Sequence, residues 1–135
     1  MKRAYLRSGL FFLLQMFTSC MAVHGDDVAA SSPKAQTERL LTEGAPLAQE
    51  LLGKHREFYP FAMTMTRSGE IKLASSYPSE HPESAEVAGF LLAGLRRDSQ
   101  KYAAVAIFTD MRVSRTGSKT DMVDTIRVSL EHRSG

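Results

Sequence analysis

Residues 58–77 read FYPFAMTMTRSGEIKLASSY, and their alternation decides the fold. Along an extended chain successive side chains point to opposite sides, so Phe61, Met63 and Met65 share one side and Ala62, Thr64 and Thr66 the other. Ile71, Leu73 and Tyr77 alternate in the same way against Glu70, Lys72 and Ser76. Between the two runs lies Arg67-Ser68-Gly69, a three-residue connection whose glycine suits the left-handed position of such turns. Setting Met65 opposite Ile71 and Met63 opposite Leu73 puts four apolar side chains on one face, so the stretch predicts a β-hairpin. Pro60 has no N–H to donate and belongs at the strand's start or on an edge.

Toward the N-terminus, Leu40, Leu41, Leu47, Ala48, Leu51 and Leu52 recur at helical spacing. Pro46 interrupts the pattern, so the helix is expected to kink near Gly44 or to restart with Pro46 in its first turn, and Gly53 is the expected stop. Toward the C-terminus, residues 78–83 form a loop into a second helix, with Glu83 and Glu86 near its start and Arg96 and Arg97 near its end, matching the helix dipole. Val87, Phe90, Leu91 and Leu95 are its expected apolar stripe, and Gly89 and Gly94 its points of close packing. Two further strands follow in residues 103–113 and 123–132. Opposing Ile107 to Val128, Val105 to Leu130 and Thr109 to Ile126 makes one face apolar. The other face then carries Phe108, Asp110, Arg112, Arg127 and Glu131, joined by the polar loop of residues 114–121.

The order α-β-β-α-β-β predicts an α+β domain: a largely antiparallel four-stranded sheet with helices packed on one face. That topology resembles profilin-like and roadblock-like folds, an analogy that implies no function. The last strand closes the chain, which leaves room for a further element or for one supplied by a partner.

Residues 1–25 have a different character. Lys2, Arg3 and Arg7 precede a short apolar run from Leu10 to Phe17, too short to span a bilayer and typical of a secretory signal peptide. Cleavage after Gly25 or Ala22 leaves a protein exported to the periplasm or secreted. Alternatively, Phe17-Thr18-Ser19-Cys20 resembles a bacterial lipoprotein box, with Cys20 lipidated and the protein anchored to the membrane. Residues 26–35 read as a flexible lead-in and 36–135 as one domain.

The composition excludes several classes. The 135 residues are 43% hydrophobic, which is too apolar for a disordered chain. One cysteine permits neither an internal disulfide nor a Cys-rich zinc module. The formal charge of +2 resides in the leader, because without residues 1–25 the chain holds 14 basic and 15 acidic residues, net −1. That removes the hint of nucleic-acid binding. Residues 26–95 are net −4 and residues 96–135 net +3, a division that can steer a protein partner or self-association.

No motif specifies a reaction. Thr116-Gly117-Ser118-Lys119-Thr120 lacks the spacing and preceding strand of a phosphate loop. Glu80-His81-Pro82-Glu83 offers two carboxylates and an imidazole, read as a solvated loop ahead of a metal site. No cofactor and no metal ligand set is expected. The segments Phe58–Ala62, Gly69–Ile71, Tyr102–Ile107 and Leu130–Arg133 (FYPFA, GEI, YAAVAI, LEHR) resemble a small bacterial family of unassigned function, which implies a fold and no site residues.

Two functional expectations follow. The first is a non-enzymatic binding, inhibitor or immunity-type protein of the cell envelope, acting on another protein or on itself through Phe108, Asp110, Arg112, Arg127 and Glu131. The second is a small hydrolase or ligand-binding domain using His55, Glu57, Asp110 or Glu131 in a cleft between sheet and helix. Membrane association is expected only through Cys20.

Overall fold

The computed structural model describes residues 31–77 and 79–134, so the leader, its cleavage sites and Cys20 lie outside the described residues. The first helix, α1, spans Pro33–His55 and begins inside the segment expected to be a lead-in. Ser32 caps it, its Oγ accepting from the Ala35 N–H at 3.2 Å, and Pro33 sits in the first turn, where no N–H is needed. α1 runs through Pro46 without restarting. It also passes Gly53 and ends at Arg56, which takes the left-handed conformation (φ 66°) and donates its N–H to the Leu52 carbonyl at 2.9 Å.

Strands β1 (Phe61–Thr66) and β2 (Ile71–Ser75) form the hairpin in the expected register, Met65 opposite Ile71 and Met63 opposite Leu73. Gly69 has φ 86°, the conformation its turn requires, and Pro60 immediately precedes β1. Helix α2 (Ser84–Arg97) follows, then a single 3-10 turn (Ser99–Lys101), β3 (Tyr102–Ser114) and β4 (Met122–His132). All pairings are antiparallel and the sheet order is β2-β1-β3-β4, so the α+β class and element order are as expected.

The layering differs from expectation, and so does the register of β3 and β4. β3 and β4 pair Phe108 with Val128, Ala106 with Leu130 and Ile107 with Ser129, one residue away from the expected pairing. Phe108, Ala106, Met65 and Phe61 pack with Leu40 and Ala48 of α1, while Ile107 and Ala62 pack with Leu91 and Leu95 of α2. The helices therefore cover opposite faces, and the central strands are buried on both. Such strands read as continuous apolar runs with no dry face to choose, and in a sheet a slip of one residue exchanges the faces.

The expected helix stripes are trimmed by this arrangement. In α2, Val87, Leu91 and Leu95 are buried whereas Phe90 is exposed. Gly89, Gly94 and Gly53 face open space, and close packing falls instead to Gly44 of α1. At the far end of α1, His132 Nε2 lies 2.8 Å from Gln36 Oε1, and the Ser134 N–H donates to His132 Nδ1 at 3.0 Å. That fixes the imidazole with its hydrogen on Nε2, tying the last strand to the first helix. No helix among the described residues is long and apolar enough to cross a membrane.

Candidate functional site

Strands lie about 4.8 Å apart and a helix with its side chains is roughly 10 Å wide, so one helix cannot shade four strands. α1 packs on β1, β3 and β4, and of β2 only Ile71 joins the core on that face, which leaves the strand uncovered from Leu73 onward. The result is a groove of about 880 Å³ between α1, β2 and the loop that leads into α2. Leu47, Leu51 and His55 of α1 form one wall, and Leu73 and Ser75 of β2 form the floor. Glu57, Phe58 and Tyr59 close one end, and Tyr77 with His81 to Ser84 the other side.

Its lining mixes aromatic and aliphatic side chains with two carboxylates, two imidazoles and two serines. Tyr59 and Tyr77 meet edge to face at 5.7 Å and 82°, and Phe58 supports Phe61 at 5.7 Å. Leu73 and Tyr77 remain 55% and 64% exposed, large apolar bodies held open to solvent in one concavity. No Lys or Arg lines the groove, and neither Glu57 nor Glu83 has an ion-pair partner among the described residues. Glu38, Glu43, Glu50 and Glu70 are each paired with a Lys or Arg, while Glu80, Glu86 and Glu131 have no ion-pair partner among the described residues. Among the described residues the two carboxyls held below their ordinary range lie elsewhere, Glu50 through a hydrogen bond from Lys54 and Asp98 through one from Lys101.

The five residues expected to share a binding face do not share one. Phe108 is fully buried under α1, its ring stacked on Phe61 at 4.9 Å and 9°. Asp110 and Arg112 follow Phe108 on the α1 side of the sheet, where Arg112 Nε donates to Asp124 Oδ1 at 3.1 Å. Arg127 and Glu131 project from the opposite side, because they pair with Thr109 and Val105. Asp110 is thus not beside Arg127 on a common face.

Of the cleft set, His55 and Glu57 line the groove, whereas Asp110 and Glu131 do not. His81 and Glu83 from the Glu80–Glu83 loop line it too, and no metal-holding cluster occurs among the described residues. Tyr59, Tyr77 and Leu73 were not expected there. Their signal in the sequence is an alternation that ends on aromatic residues at both free ends of one hairpin. A second hollow, about 220 Å³, lies at the end of α2, where the Arg67 and Arg133 guanidinium groups both donate to Gln100 Oε1 at 3.3 and 3.2 Å. Comparison with protein-family models, with curated proteins and with solved structures finds no match to this chain.

Proposed function

We propose that this chain is an exported ligand-binding protein whose groove between α1 and β2 takes an organic cation carried on an apolar or aromatic body. The single observation behind this reading is the groove's lining: exposed aromatic and leucine side chains, two carboxylates without an ion-pair partner among the described residues, and no Lys or Arg. An apolar body gains by covering Leu73 and Tyr77, and an ammonium group gains from the Tyr faces and from Glu57 and Glu83. Export rests on the signal-peptide character of residues 1–25. An apolar segment bearing a lysine on another protein presents the same chemistry, which is how an inhibitor-type protein would use the groove.

The test compares octylammonium with octanoate, ligands of equal length and opposite charge, by calorimetry. Octylammonium binds and octanoate does not, and Glu57→Gln with Glu83→Gln weakens the cation without unfolding the protein. Equal binding of both, or of neither, overturns the reading. Intact mass of protein recovered from cells tests export separately, with loss of residues 1–25 or 1–22, or lipidated Cys20, as supporting outcomes and an uncut chain as the opposing one.

A further inference from the structure

The two edges of the sheet are unlike. β2 has five residues, bears Lys72 and borders the groove, whereas β4 runs for 11 residues paired to β3 without a bulge. Among the described residues nothing pairs with the outer edge of β4. Proteins commonly blunt such edges with short strands, bulges, prolines or charged side chains, above all lysines; β4 is long, unbulged and free of Lys and Pro, and its charges are Asp124, Arg127 and Glu131.

Its backbone phase follows from two bonds that continue the β3–β4 register. Arg133 N–H donates to the Ala103 carbonyl at 3.0 Å and Arg115 N–H to the Asp121 carbonyl at 3.2 Å. In an antiparallel ladder hydrogen-bonded and non-hydrogen-bonded pairs alternate. The odd-numbered residues of β4 therefore turn their N–H and C=O groups toward β3. Ile126, Val128, Leu130 and His132 turn theirs outward.

The geometry points to a second copy of this chain as the occupant, β4 against β4 about a twofold axis at Ser129. In that register Val128 opposes Leu130 of the second copy and exchanges both backbone bonds with it. On one face the half-buried Val128 meets the exposed Leu130 twice. On the other, Arg127 meets Glu131 twice, flanking the central serines. Neither residue has an ion-pair partner among the described residues, so the pairing completes both charges. Shifting the axis by one residue to Val128 sets Arg127 against Ser129. Shifting it to Arg127 sets two arginines together, and cross-strand like charges are unfavourable. The eight-stranded sheet that results leaves both grooves at its far ends, so this inference stands apart from the ligand reading.

The experiment is sedimentation of the protein as recovered from cells, across a concentration series, for five sequences. The unaltered chain sediments at twice the protomer mass. Arg127→Glu or Glu131→Arg alone weakens the dimer roughly tenfold or more, while the double exchange restores it. Leu130→Pro, which removes one outward N–H and no bond to β3, also yields protomers, with circular dichroism verifying that each variant is folded. A chain that sediments as a protomer throughout overturns the inference. So does a dimer indifferent to these substitutions.

Discussion

Gly44 of α1 rests directly on the ring of Phe108: a Cβ at Gly44 would lie 2.3 Å from Phe108 Cζ and 2.8 Å from Met63 Cγ. Phe108 is fully buried and stacked on Phe61, so its ring has nowhere to retreat. This contact sets the closeness of α1 to the sheet. Gly44→Ala improves helix propensity by about 1 kcal/mol but overpacks the core by about 1–3 kcal/mol. With an approach this close the upper end of that cost applies, and a net loss of about 2 kcal/mol is expected in urea unfolding. Pairing the substitution with Phe108→Leu, which frees ring volume, recovers part of it in a double-mutant cycle.

Phe108 itself is a test of the register. As a core residue its replacement by Ala costs about 3–5 kcal/mol, whereas Arg127→Ala, on a side chain exposed in the protomer, changes the stability of the protomer's own fold by no more than about 0.5 kcal/mol. Similar small losses at both positions would restore Phe108 to the surface.

The hairpin was legible in the sequence because β1 and β2 carry a local turn signal, Gly69, that pins their register. β3 and β4 have no such pin. Their loop is long and polar, and residues 103–108 (AAVAIF) are apolar on both sides because α1 covers one and α2 the other. With no dry face the alternation in β3 is silent about register, and Phe108 was placed with the charged residues. The groove was half legible: His55 and Glu57 were named for a cleft between sheet and helix. Tyr59, Tyr77 and Leu73 join them only because α1 misses β2, a matter of packing geometry that no local pattern encodes.

Arg56 closes α1 in the left-handed region that glycine adopts freely. Its guanidinium reaches Asp124 at 3.5 Å but is mostly exposed, and Asp124 keeps Arg112. Arg56→Gly is expected to stabilise the protein by about 1 kcal/mol, read as a higher midpoint in thermal unfolding.

Gln36→Leu leaves the His132 Nε2–H without its partner at a part-buried site. A loss of about 1–3 kcal/mol is expected. The same substitution should shift the His132 ring resonances in NMR, which a generic packing defect at α1 would not do.

Asp98 accepts from Lys101 at 3.1 Å, and this bond, aided by Arg97, holds its carboxyl below the ordinary range. A group lowered by folding stabilises above its unfolded pKa, and that contribution fades as pH falls through the folded value. Lys101→Ala should move the Asp98 titration upward in NMR and shrink this acid-side contribution. An unmoved Asp98 would mean that Lys101 does not hold it.

The groove is tested most directly by locating bound octylammonium with methyl and aromatic NMR. The expected result is shifts at Leu47, Leu51 and Leu73 and at the Tyr59 and Tyr77 rings, with Leu91 and Leu95 under α2 unmoved. Shifts confined to the α2 side, or none at millimolar ligand, would contradict it.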